Sequence, residues 1–530
     1  MVERSICVYR RLLRLTCAVT SSCLIFCAHS ALAASAILPA GFTDTRVAGS
    51  LDEPVGLARV PDAPSSVARV LFIEQRTARV RMSIAGVLTT LGTVPGVRSV
   101  DTEQGLLGIA VDPDFPAAPY IYIHATDNRF GSFITISRFT LTGDLGYSGA
   151  GALAFDPASR YDLIRNLPDN AINHNGGTVR FGPDRTLYVS LGDDENNCNA
   201  QLVTVLAGKI LRLDVSRLPT GSGGPAPYAL LTAPGNPYAS NSDSLARLVW
   251  ASGLRNPFRF HVDALNGELF VADVGESTWE ELTRFSAGGQ NGGWPCREAN
   301  APFITCSGSL PVVVSPIASY NHTEGVVIIS AGIYRRPAAG TERFPLEYDG
   351  NCFFLDYDSG MMRRLTGSGG SWTAAPAVAG QPNSSDWAAG MESVSDVLAL
   401  PDGSLLYVRQ SIASAALTGE IRRIAHPTIL AVGDATAHRV SFALPRPTPS
   451  RERVVLEWSQ PEADAVRLTI YDTAGRSIRM LARGATYAPG THALEWNGTD
   501  VSGVRVAPGL YLARLAVGHE IRHARIMLLR

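Results

Sequence analysis

The chain has 530 residues, 45% hydrophobic and 18% charged, with a formal net charge of −2. That length buries a large core and has room for more than one domain. The near-neutral charge leaves no basic footprint for a nucleic-acid partner, and 50 glycines with 33 prolines suit many short strands joined by turns.

Residues 1–33 read as a secretory signal peptide. Arg4, Arg10, Arg11 and Arg14 give a positive start. Residues 15–28 are apolar but short for a bilayer span, and Ala31-Leu32-Ala33 offers a small-x-small cleavage site. Phe26 before Cys27 fits a lipoprotein signal poorly, so cleavage and export to the periplasm, cell surface or medium are expected. No later segment is apolar enough to cross a membrane. Four cysteines leave with the signal, and Cys198, Cys296, Cys306 and Cys352 remain. An even number in an exported chain suggests two disulfides. Cys296 and Cys306 bracket a short loop and are the first pair expected; Cys198–Cys352 follows by elimination. No Cys-x-x-Cys spacing favours a metal instead.

After residue 50 a unit recurs: an apolar run, an Asp-bearing turn and a second β-rich run. It spans 56–73 around Pro61-Asp62, 107–123 around Asp112-Pro113-Asp114, and 179–189 around Pro183-Asp184. It returns at 258–271 around Val262-Asp263, more weakly around Tyr348-Asp349 before 352–355, and at 397–408 around Pro401-Asp402. Six copies, each a hairpin and none separated by an amphipathic helix, predict a six-bladed β-propeller over residues 34–425. Loops converging on a central channel suit a small-molecule site.

The third copy is preceded by N-A-I-N-H-N-G-G at 170–177. This polar, flexible loop feeds a hairpin and presents His174, whose ordinary pKa suits a general base. A turn histidine bonded to nearby backbone is the alternative. Residues 426–450 then read as a linker, with prolines at 445, 447 and 449. From 451 to 530, V-V-L-E-W, V-R-L-T-I-Y-D, H-A-L-E-W and G-L-Y-L-A-R-L alternate apolar and polar between turns, which predicts an Ig-like β-sandwich. The expected class is therefore all-β: a propeller followed by a small sandwich.

Motifs spread along residues 51–424 resemble the soluble glucose/sorbosone (aldose sugar) dehydrogenases that depend on pyrroloquinoline quinone (PQQ). They are E-P-V-G-L-A at 53–58, E-Q-G-L-L-G-I-A-V-D-P-D-F at 103–115, the His174 segment and G-K-I-L-R-L-D at 208–214. G-L-R-N-P-F-R-F at 253–260, A-D-V-G at 272–275 followed by W-E-E-L, and G-G-W-P at 292–295 complete the set. The C-terminal motifs at 470–479, 490–498 and 509–511 resemble the Ig-like domain of flagellar hook-capping proteins. That module implies surface retention or spacing.

The resemblance implies oxidation of an aldose at C1, with hydride passing to the quinone and His174 as general base. Its expected partners are a small sugar and an electron acceptor of unspecified identity. Asn173 stands where relatives often carry an orienting aspartate, and an amide cannot stabilise imidazolium with a full charge. Glu103 matches a side chain lining the substrate pocket, and His322 could line the same pocket. Arg255 and Asn256 match cofactor contacts, and Arg335 corresponds to a later basic contact. Calcium (Ca2+) is expected on the backbone carbonyls of Gly275-Glu276, with Glu281 as a further acidic ligand. The family's last cofactor arginines would fall near Asp358-Ser359-Gly360, where this chain offers no base. The competing reading is a non-catalytic propeller that has lost quinone binding and binds glycan or protein. A calcium-centred lactonase is a third, and no dense set of Asp, Asn and Glu at the strand starts supports it.

Overall fold

The computed structural model describes residues 35–529, apart from 62–67, 101–102, 130, 307–312, 412–416, 428–439 and positions 444, 447, 448, 452, 461 and 489. The signal peptide therefore lies outside the described residues. The chain forms two compact units that divide after Thr428.

In the first unit every copy of the repeat opens an antiparallel sheet, four-stranded in five blades and five-stranded in blade 5. Blade 1 is Pro54–Arg59, Arg69–Glu74, Arg79–Ile84 and Val87–Thr93; blade 2 is Leu106–Val111, Tyr120–Asp127, Phe133–Gly143 and Leu153–Pro168. Blade 3 is Val179–Phe181, Leu187–Leu191, Lys209–Leu213 and Val249–Ser252; blade 4 is Arg259–Val262, Leu269–Asp273, Trp279–Phe285 and Ala318–Asn321. Blade 5 is Ile328–Ile333, Cys352–Asp356, Met362–Ser368 and Ser371–Ala374, and Asp386–Ala388 also pairs with its third strand. Blade 6 is Val394–Ala399, Leu405–Arg409 and Gly419–Ala425. Its outer strand, Thr43–Leu51, comes from the start of the propeller and pairs Thr43 with Ala425.

The first strand of each blade packs on the first strands of both neighbouring blades, from blade 1 round to blade 6 and back. Six sheets thus close into a ring that leaves only short inner edges, enclosed at the channel, which is how a propeller protects sheet edges. Such strands are enclosed on both faces, and Leu106–Val111 is buried at every position. The run L-L-G-I-A-V therefore lacks polar alternation. Gly108 within it is required by close approach: a Cβ there would lie 2.1 Å from the Gly177 carbonyl oxygen of the next blade. Arg259 ties the inner strands together. Its guanidinium donates to the carbonyl oxygens of Ser395 (2.8 Å), Val55 (2.6 Å), Leu107 (3.1 Å) and Phe258 (3.0 Å). These carbonyls belong to blades 6, 1 and 2 and to the approach to Arg259's own strand.

The second unit is a sandwich of a three-stranded and a four-stranded antiparallel sheet. Its strand Val454–Gln460 alternates buried and exposed as the sequence pattern demands. Trp458, Trp496, Leu468 and Leu515 meet in its core. Ser441–Phe442 pairs with that strand and Val440 is buried, so the end of the stretch read as linker already belongs to the sandwich.

Among the described residues, Cys296–Cys306 is disulfide-bonded, as expected. The second expected pair is not formed. Cys352 is buried in blade 5 whereas Cys198 is exposed in a loop of blade 3, and both are free thiols.

Candidate functional site at the channel mouth

In an antiparallel blade the start of the first strand and the end of the second lie at the same end. Six blades in a ring therefore aim these chain positions at one channel mouth. A cavity of about 590 Å³ opens there. Glu53 and Glu103 reach it from just before the first strands of blades 1 and 2, and Asn256 from just before that of blade 4. Gln75, Asp358 and Gln410 reach it from just after the second strands of blades 1, 5 and 6.

His174 sits in the loop entering blade 3, with a positive φ of 62° that a non-glycine residue adopts only when its surroundings impose it. Two contacts impose it here. Its backbone N–H donates to Glu103 Oε2 at 2.8 Å. Its ring Nδ1 lies 2.7 Å from Asp193 Oδ1. Asp193 follows strand Leu187–Leu191 and Gly192; a Cβ on Gly192 would lie 2.0 Å from the His174 carbonyl oxygen, so glycine is needed for this approach. The Asp193 carboxylate is buried, and its Oδ2 accepts the Trp294 Nε1–H at 2.8 Å. A carboxylate on Nδ1 fixes the proton there and leaves Nε2 as the basic nitrogen. Lys209 steadies the turn beyond Asp193 by donating to the carbonyls of Asn199 (2.7 Å), Ala200 (2.9 Å) and Ala207 (2.7 Å).

Arg255 joins the same group. Its carbonyl accepts the Asp193 N–H at 2.8 Å, and its guanidinium lies 5.7 Å from the Trp294 ring centroid. Its Nε donates to Glu276 Oε2 at 2.8 Å and its Nη1 to the Val274 carbonyl at 3.1 Å. Asn256 bridges neighbouring loops: Nδ2 donates to Glu103 Oε2 at 3.0 Å and Oδ1 accepts the Gly176 N–H at 3.2 Å. The imidazole, the guanidinium and the Gly275 loop, distant in sequence, therefore form one connected set.

Behind this set lies a group of buried acids. Asp273 accepts the Asn256 N–H at 2.7 Å, and burial raises its pKa to about 7. Burial likewise raises Glu280 to about 8, while it accepts the Gly275 and Ile328 N–H groups. Glu281 is pushed well above the usual carboxylate range by burial and then by Asp273 and Glu280, and its Oε2 has no hydrogen-bond partner.

Several expected site residues are placed differently. Asn173 does not orient His174; its Nδ2 donates to Glu195 at 3.0 Å, and Asp193 holds the imidazole instead. Arg335 leaves the first strand of blade 5 at the opposite end and pairs with Asp263, in the turn far from the mouth of blade 4. Neither His174 nor His322 lines the cavity itself: His174 adjoins it through Glu103, a lining residue that accepts its N–H, whereas His322 Nε2 meets Glu280 at 3.0 Å. Asp193, Trp294, Gln75, Asp358 and Gln410 were missed. The first and the last three share one register, directly after the second strand of a repeat copy, and that register was the available signal.

The residues present can be tested against the groups expected there. The orphaned Glu281 oxygen, crowded by other acids, fits a cation. No group of three or more His, Cys, Asp or Glu side chains among the described residues is arranged to hold a metal ion, so backbone carbonyls would have to supply the other ligands. The quinone, a tricarboxylate, does not fit the cavity lining. Glu53, Glu103 and Asp358 face it, and the basic side chain in the lining, Arg76, is paired with Glu53 at 2.9 Å.

The glucose/sorbosone dehydrogenase family pattern matches residues 51–405, and the FlgD Ig-like domain matches residues 452–518. The HIPL2 protein of Arabidopsis thaliana is 37% identical over 206 residues, 36% of this chain and 29% of its own length. The aldose sugar dehydrogenase YliI of Escherichia coli K12 is 26% identical over 51% of this chain and 66% of its own. The chain thus spans under a third of its HIPL2 relative. Among solved structures, the PQQ-bound aldose sugar dehydrogenase of Streptomyces coelicolor superposes with a TM-score of 0.52 at 25% identity, over 73% of this chain and 99% of that one. A glucose dehydrogenase-like oxidoreductase of Thermus thermophilus gives 0.54 at 25% identity, over 72% and 99%. With the family pattern covering most of the propeller, the chain belongs to the glucose/sorbosone dehydrogenase family.

Proposed function

We propose that this chain binds a sugar at the channel mouth, with His174 Nε2 as a hydrogen-bond acceptor for its anomeric hydroxyl. The His174–Asp193 pair carries this reading. Asp193 accepts the Nδ1–H hydrogen bond, which leaves Nε2 as the acceptor for a hydroxyl, and in an oxidation its charge would stabilise the imidazolium. Glu103 and Asn256, fixed on each other and on the His174 loop, supply acceptors and donors for neighbouring hydroxyls. The cavity volume suits a monosaccharide or disaccharide.

Oxidation at C1 with hydride transfer to PQQ is the second reading. The base pair, the family and the activity named for the relatives favour it; the acidic lining counts against it. Calcium on the Gly275 and Glu276 carbonyls with Glu281 belongs to the proposal, supported by the orphaned carboxylate oxygen. So does export, supported by the leader and by the Cys296–Cys306 disulfide. Surface attachment through the FlgD Ig-like domain completes it. The test combines calorimetric sugar titration with an oxidation assay on full chain given PQQ, calcium and an artificial acceptor. Sugar binding without turnover is expected. Turnover abolished by His174→Ala would establish the second reading, and absence of any sugar binding would remove the first.

A further inference from the structure

The lining of the cavity separates this chain from a quinone site and also points to what it admits. We propose that the channel mouth selects a cationic saccharide, an amino sugar with a free ammonium group, and rejects the quinone trianion. This rests on the sugar-binding reading above and names the substrate class within it.

Among the described residues, the cations near the mouth are committed. Arg76 is held by Glu53 at 2.9 Å. Arg255 lies outside the lining and is held by Glu276. Arg409, beside Gln410, turns to Glu392 at 3.0 Å. Arg363 pairs with Asp386 and Glu324, and Arg364 with Asn351. Arg259 beneath spends its guanidinium on four backbone carbonyls. Moving any of them to an anionic ligand would strand a carboxylate or a set of buried carbonyls.

The carboxylates are in the opposite condition. Glu103 uses Oε2 for the His174 N–H and the Asn256 amide, and among the described residues its Oε1 has no partner. The Asp358 carboxylate has none either; only its backbone N–H is bonded, to Asp356. Asp358 is exposed at the rim; partial desolvation, with the Asp356 charge behind it, pushes its pKa up, so an approaching cation gains there. These acids stand on different blades around the cavity and do not converge as a metal site would. The ammonium of a ligand that fills the cavity donates a charge-assisted hydrogen bond to one of them and gains from the field of the others. Gln75 and Asn256 can bond ring hydroxyls, and Phe258 and Val327 give the ring an apolar wall.

The experiment is calorimetric titration of the full chain at low ionic strength and pH 6.5 with D-glucosamine, N-acetyl-D-glucosamine, D-glucose and PQQ. D-glucosamine is expected to bind at least about tenfold tighter than either neutral sugar. Asp358→Asn, nearly isosteric, is expected to bring the difference within about threefold, Glu103→Gln to narrow it, and PQQ to give no heat and no change in its visible absorbance. Equal affinity for D-glucosamine and D-glucose would overturn the inference while leaving the sugar reading intact. Quinone binding to the unaltered chain would overturn it too. No binding of any sugar would overturn both.

Discussion

Replacing Arg259 by methionine tests whether the inner ring is held as described. The guanidinium is fully buried and donates to four carbonyl oxygens at 2.6 to 3.1 Å, three of them on blades other than its own. Burial lowers its pKa only to about 10, so it carries its charge at neutral pH. Hydrogen bonds from a charged donor contribute about 1.5–3 kcal/mol each, but desolvation of the cation offsets much of that sum. The decisive cost comes from the carbonyls left behind, because methionine fills the volume without offering a donor. Losses on removing one side of a buried ionic arrangement run at about 3–5 kcal/mol, and that is the expected destabilisation. Arg259→Lys, with a single ammonium unable to span all four acceptors, is expected to lie between the two. Guanidinium chloride unfolding followed by tryptophan fluorescence, with the transitions of the two units fitted separately, reads the change. A loss below about 1 kcal/mol for Arg259→Met would refute the idea that this residue ties the blades.

Two further outcomes follow from buried groups. Burial depresses the pKa of His124 from 6.5 to about 3, and that of His261 to about 4. Unfolded chain takes up these protons below pH 6.5 while folded chain does not, so stability falls as pH drops from 6.5 toward 3. At about 1.4 kcal/mol per unit, His124 alone removes on the order of 4 kcal/mol across that window. Neither of its ring nitrogens has a hydrogen-bond partner, so His124→Leu is expected to flatten the pH profile and raise stability at pH 7. An unchanged acid slope in that variant would contradict this account. Calcium is expected to raise the melting temperature of the unaltered chain, and Glu281→Gln to abolish the rise; an equal rise in the variant would exclude Glu281 as a ligand.

The sequence alone determined the architecture. Six hairpins with Asp-bearing turns, and no helices between them, left few ways to bury so many two-faced strands, and each copy became the inner hairpin of a blade. It also singled out His174 as a candidate, because Asn, His and paired glycines before a strand place an imidazole in a loop entering a blade. What holds that imidazole was decided only by the tertiary structure. Asn173 was the neighbour in sequence, but the loop bends there and His174 takes a φ of 62°, so the Asn173 amide reaches Glu195 while Asp193, across the hairpin, faces the ring. Arg335 failed for a related reason: which end of a blade a residue occupies depends on strand direction, which a motif match does not register. The acidity of the mouth was equally hidden. Glu53, Glu103 and Asp358 are far apart along the chain, and only closure of the ring sets them around one space, where Arg76 is taken up by Glu53 and the carboxylates of Glu103 and Asp358 have no cation paired with them among the described residues.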